Sequence, residues 1–100
     1  MLQLSPEQIQ ITKSILAQHA PGRQACAFGS RVEGHASPTS DLDILILGEE
    51  AMQPDHRANL KLAFSESNLP FFVDIVEQAR VSAKFFNQIA KQAKPLSQLF

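Results

Sequence analysis

The chain has 100 residues, 44% of them apolar, and a formal net charge of −1, which describes one globular domain of ordinary composition. Nine basic residues against ten acidic ones leave no global basic footprint, so direct binding of nucleic acid by this chain is not expected. No apolar run approaches the roughly 18 residues needed to span a bilayer, and Cys26, the single cysteine, has no internal partner for a disulfide.

The N-terminal Met-Leu-Gln-Leu-Ser-Pro-Glu lacks the charged and apolar regions of a signal peptide, so a cytoplasmic protein in a reducing compartment is expected. Leu4-Ser5-Pro6-Glu7-Gln8-Ile9 predicts a helix start. Ser5 suits the N-cap, Pro6 the first helical position, and Gln8 completes a capping box. Leu4 and Ile9 are spaced for a hydrophobic staple. The helix runs to about His19, turns Ile11, Ile15 and Leu16 inward, and stops before Pro21-Gly22. Gln24 to Phe28 reads as a short buried strand in which Cys26 acts as a small apolar residue. Gly29 to Gly34 predicts a turn and a single helical turn, and His35 to Ser40 a polar loop around Pro38. Asp41 to Leu47 is the clearest strand, ended by Gly48. Pro54-Asp55 opens a second helix with Leu60, Ala63 and Phe64 at i, i+3, i+4 spacing, ending near Asn68. Phe71 to Val76 is a third strand. Ser82 caps a last helix with Phe85, Phe86, Ile89, Ala90 and Ala93 on one face, and Pro95 ends it. The apolar tail Leu96-Ser97-Gln98-Leu99-Phe100 is able to pack back or to dock on another chain. The order α-β-turn-β-α-β-α makes an α/β protein, a small sheet covered by helices.

Asp41 and Asp43 are separated by one leucine at the head of an apolar strand. Strand side chains repeat every two residues, so both carboxylates point to one face. Side by side they repel and lose hydration. A divalent cation offsets that cost. Asp74 stands inside Phe72-Val73-Asp74-Ile75-Val76, where aspartate is depleted in ordinary strands. If the third strand pairs beside the second, Asp74 joins the pair, and three converging carboxylates suit two metal ions. All-oxygen ligands favour Mg²⁺, which keeps waters and substrate phosphates in its shell. Asp41 and Asp43 then hold both ions, and Asp74 completes the one on the attacking side and takes the proton of the nucleophile. Gly29 permits close backbone approach to phosphate. Ser30 adds a hydroxyl at a helix N-terminus, where anions are favoured. Arg31 beside them is in reach of a phosphate.

Each of these residues also has a plainer reading. Asp41 follows Pro38-Thr39-Ser40, which is turn chemistry. Asp74 alone suits the solvent face of a half-exposed strand, Gly29-Ser30 is a common turn pair, and an arginine such as Arg31 is often merely solvated. His19, His35 and His56 are scattered without metal-ligand spacing. No Gly-Lys-Ser/Thr is present, so a P-loop is excluded. The combination weighs more than its members, because the carboxylates and the Gly-Ser turn share one spacing.

Gly29-Ser30, ten residues, then Asp41-Leu42-Asp43, with Asp74 on a later strand, resembles the signature of the DNA polymerase β-type nucleotidyltransferase superfamily. The form Phe-Gly-Ser-Arg-Val-Glu-Gly…Ser-Asp-Leu-Asp is similar to that of the minimal nucleotidyltransferases, the MNT proteins. The resemblance covers the chain from the first helix through the third strand. It implies a mixed sheet, Mg²⁺, and a nucleoside triphosphate, usually ATP. It also implies a helical partner of the HEPN type, a toxin ribonuclease, to which an MNT antitoxin transfers AMP within a hetero-oligomer. The competing reading keeps the fold and the partner but removes the chemistry: a non-catalytic module that neutralises the toxin by occlusion.

Overall fold

The computed structural model describes residues 3–96. Its first helix, α1 (Pro6–His19), begins as the sequence predicts. The Ser5 hydroxyl accepts from the Gln8 N–H at 3.1 Å, and the Gln8 carboxamide accepts from the Ser5 N–H at 3.0 Å. Two of the amides that every helix start leaves without an intrahelical acceptor are thereby satisfied. The expected inward residues do pack against the core, joined by one that was not expected. Ile11, Ile15 and Leu16 are half-buried against the core, whereas Thr12 is fully buried. Its hydroxyl donates to the Gln8 carbonyl at 2.8 Å, so a polar side chain is satisfied inside its own helix.

Three further elements lead into the site, which β3 completes. Strand β1 (Ala25–Phe28) leads through Gly29 into the one-turn helix α2 (Ser30–Glu33), and β2 (Leu42–Ile46) follows the polar loop. Helix α3 (Pro54–Ser65) ends three residues before the expected Asn68, and the Ser67 hydroxyl donates to the Phe64 carbonyl at 2.6 Å just beyond it. Strand β3 (Val73–Glu77), a short 3₁₀ turn over Gln78–Arg80 and helix α4 (Ala83–Ala90) follow, with Ser82 accepting from the Phe85 N–H as N-cap. A two-residue strand β4 (Lys94–Pro95) was not expected; Pro95 was read only as a helix stop. It pairs antiparallel with β1 at the sheet margin, where proline is tolerated because no ladder donor is needed on the outer side.

The sheet has the order β3-β2-β1-β4 and is mixed: β2 and β3 run parallel, the other pairs antiparallel. Leu42, Ile44, Ile46, Ala27, Val73 and Ile75 face one side, where Leu60 and Phe64 of α3 and the half-buried residues of α1 complete the main core. Leu45, Cys26 and Phe28 face the other side, where Ile89, Phe86, Ala93 and Val76 form a smaller cluster. Phe85, expected on the buried stripe of α4, is exposed, and so is Ala90. A helix of eight residues crossing a narrow sheet buries only the side chains directly over it.

The far end of β3 is fixed by Glu77, which is 1% exposed. Its carboxylate accepts from the Met52 N–H at 2.7 Å and from the Nε atoms of Arg57 and Arg80, each at 2.6 Å. Arg57 also donates to the Ile75 carbonyl at 3.3 Å, occupying an acceptor on the free edge of the sheet. Among the described residues no helix is long and apolar enough to cross a membrane. The apolar tail residues Leu99 and Phe100 lie outside the described residues.

Candidate active site

The strand register gathers the acids. Phe28 on β1 is opposite Asp43 on β2, and Asp43 is opposite Asp74 on β3. Register partners project to the same face, so Asp43 and Asp74 lie side by side on the α4 side of the sheet. Asp41 stands one residue before β2 and shares the parity of Asp43; the expected start of the strand is therefore one residue early. Two steps along the same face, Leu45 is buried and Val76 half-buried in the cluster with α4, while Asp41 and Asp74 remain exposed. The carboxylates thus occupy the uncovered end of a face whose other end is packed.

Their electrostatics follow from that placement. Burial pushes the Asp43 carboxyl above its ordinary range, and the charges of Asp74 and then Asp41 push it further. Such a group gains most from a cation. Among the described residues no three acid, histidine or cysteine side chains stand close enough to clasp a metal unaided. An all-oxygen, mutually repelling set of this kind fits Mg²⁺, which takes one or two carboxylates from protein and completes its shell with water and phosphate.

Gly29 sits beside Asp43 in a conformation of φ 83° and ψ −158°, a region open essentially to glycine alone. A Cβ there would overlap Asp43 Oδ2 and stand 3.2 Å from Cγ. Its first contribution is therefore to make room for the central carboxylate. Its N–H donates to the Gln92 side-chain carbonyl at 3.1 Å. Gln92 follows α4 and nothing in the sequence singles it out. Ser30 is the first residue of α2 and is half-buried at this turn.

Arg31 corrects the sequence reading most clearly. It was expected at the nucleotide or in solvent, yet it is 4% exposed. Its guanidinium donates to the carbonyls of Ser40 and Pro38 at 3.0 Å and of Gln3 at 2.6 Å, with a longer contact of 3.4 Å to Ser37. It also lies 3.9 Å over the Phe71 ring. With its donors taken by backbone, it is not presented to a phosphate at the carboxylates.

Residues 10–98 match the family described as Polymerase beta, Nucleotidyltransferase. The chain belongs to this nucleotidyltransferase family. It is 44% identical over 90 residues to the Haemophilus influenzae chain named "Probable protein adenylyltransferase MntA", an alignment spanning 90% of this chain and 79% of that one. A solved toxin-antitoxin complex with AMP-PNP contains a chain of the same fold, with TM-score 0.74 and 26% identity over 88% of this chain and 71% of that one. An MNT antitoxin in complex with the tri-AMPylated HEPN toxin of Shewanella oneidensis superposes with TM-score 0.64 at 24% identity, covering 88% of this chain and 71% of that one. The fold is thus shared with both solved toxin-antitoxin complexes. As a nucleotidyltransferase, the chain catalyses nucleotide transfer, and the expected small mixed sheet with helices is the fold of that family.

Proposed function

We propose that this nucleotidyltransferase moves AMP from ATP onto a hydroxyl of a HEPN-type toxin and so acts as its antitoxin in a cytoplasmic hetero-oligomer. The observation that carries the reading is the pairing of Asp43 with Asp74 on adjacent strands at the open sheet end, with a glycine-only turn at Gly29 making room for the Asp43 carboxylate. The similarity to MntA and to a complex holding AMP-PNP supports ATP as donor and a protein as acceptor.

In this reading Asp41, Asp43 and Asp74 hold Mg²⁺. When bound, the metal supplies charge neutralisation at the triphosphate and the leaving pyrophosphate. Ser30 and the turn after Gly29 seat the phosphates from the β1 side, where the start of α2 favours an anion. Asp74, on the opposite flank of β2, accepts the proton of the attacking hydroxyl. The new bond joins that oxygen to the α-phosphorus as the bond to pyrophosphate breaks. Two costly features support catalysis over simple occlusion of the toxin: a half-buried Asp43 carboxylate set beside two other acids, and a glycine-only turn that leaves room for it.

The test uses Asp41→Asn and Asp43→Asn, each co-expressed with the proposed HEPN-type partner. Interfaces draw mainly on buried aromatic, arginine and aliphatic anchors, so both variants should still co-purify with the toxin yet fail to protect cells. Full protection at equal expression would replace catalysis by occlusion.

A further inference from the structure

A buried arginine without a carboxylate partner calls for an explanation. Glu77 draws Arg57 and Arg80 into ion pairs, whereas among the described residues Arg31 is met by backbone carbonyls and the Phe71 ring. Desolvating a charge is costly unless it is well solvated by such groups. The carbonyls that Arg31 holds are not scattered. Pro38 and Ser40 belong to the loop that delivers Asp41, and Gln3 belongs to the segment entering α1. Arg31 itself follows Ser30 directly on α2, and Phe71 lies just before the strand that carries Asp74.

Asp41 lies outside the β2 ladder and is exposed. The chain fixes it from its two sides. Downstream, Leu42 donates to the Phe72 carbonyl at 2.9 Å. Upstream, Ser40 is held by the Arg31 Nε and by the loop's own bonds, in which the Ser40 hydroxyl accepts from the Ser37 N–H at 2.8 Å. We infer that Arg31 is a positioning residue: its guanidinium locks the loop before Asp41 onto the Gly29–Ser30 turn and onto Phe71, setting the metal-binding carboxylates at a fixed distance from the phosphate seat. This rests on the proposed role of Asp41 as a metal ligand. Lysine cannot replace it, because one ammonium has no planar fork to span several carbonyls and no face to stack on the ring.

The experiment is an electron paramagnetic resonance titration with Mn²⁺ of the intact chain and a non-hydrolysable ATP analogue. Wild type, Arg31→Lys, Phe71→Leu, Asp41→Asn and the core variant Leu60→Val are compared, with folding checked by circular dichroism. Outer-shell partners of metal ligands typically change affinity by about 10-fold or more, which is the loss expected for Arg31→Lys. Phe71→Leu removes only the stacked face and should weaken Mn²⁺ by about threefold. Leu60→Val should melt earlier than wild type and bind Mn²⁺ equally well, separating positioning from stability. A folded Arg31→Lys that binds Mn²⁺ as wild type does overturns the inference. If Arg31→Lys does not fold, Phe71→Leu decides on the same criterion. If Asp41→Asn also leaves Mn²⁺ binding unchanged, the metal reading of the site fails and this inference falls with it; if Asp41→Asn loses Mn²⁺ while Arg31→Lys keeps it, only this inference fails.

Discussion

Replacing Gly29 by alanine perturbs the site through one methyl group, and the structure sets the size of the effect. The residue occupies φ 83° and ψ −158°, where an L side chain costs about 1–3 kcal/mol. The new Cβ also overlaps Asp43 Oδ2. Relief requires Asp43 to leave its rotamer, which costs about 0.5–1.5 kcal/mol. Together these give a destabilisation of about 2–4 kcal/mol, or about 10 °C or more in melting temperature for a domain of this size. The effect on transfer is larger in proportion, because displacing a reacting group by about 1 Å costs roughly 100-fold in rate. The assays are differential scanning calorimetry and AMP transfer from labelled ATP, run below the melting temperature of the variant. A double-mutant cycle isolates the clash: with Asp43→Ala in the background, Gly29→Ala should cost less stability, since only the backbone term remains. A Gly29→Ala protein that melts with wild type and transfers AMP at the wild-type rate would refute the reasoning.

Three other outcomes follow from the same geometry. Without metal, Asp43→Asn should melt above wild type near neutral pH. A carboxyl whose folded pKa is raised leaves stability intact below its unfolded value of about 3.9 and loses it as pH rises, so the advantage of the variant should vanish on acidification to about pH 4; a lower melting temperature at neutral pH would mean that Asp43 is a structural hydrogen-bond acceptor. Burial opposes the charge on Glu77, but the Met52 N–H, Arg80 and Arg57 outweigh it and hold that carboxyl below its usual range. Its stabilisation is present above about pH 4.3 and is lost as pH falls through the folded value. Glu77→Gln should therefore cost about 2–3 kcal/mol by urea unfolding near neutral pH, and less in acid; equal midpoints near neutral pH would contradict this. Cys26 is buried with its thiol pushed upward by desolvation, so it should resist a thiol reagent until the chain unfolds, and rapid labelling of the native protein would show that β1 opens.

Local chemistry made much of this legible in the sequence. The Ser5–Gln8 capping box involves neighbours three residues apart and needs no tertiary context. The two-residue period puts Asp41 and Asp43 on one face whatever their surroundings, and aspartate inside Phe72–Val76 stands out against the strand pattern. Arg31 was not legible, because its burial depends on a loop folding back over it and on Gln3, which is 28 residues away. Gln92 bonds Gly29 across 63 residues and looks like any polar residue after a helix. Strand β4 has two residues, one of them proline, and leaves no periodic signal. Glu77 lies just past the expected end of the third strand, and its role depends on two arginines from different segments converging on it.

In the proposed function the carboxylates at the open end of the sheet support transfer of AMP to a protein partner. Intact-mass spectrometry of the helical toxin co-expressed with this chain tests it most directly. Toxin should be heavier by one or more whole AMP units with wild type and unmodified with Asp41→Asn or Asp43→Asn, although the variants still bind it. Toxin of unmodified mass that is nonetheless neutralised by the wild-type chain would contradict the account.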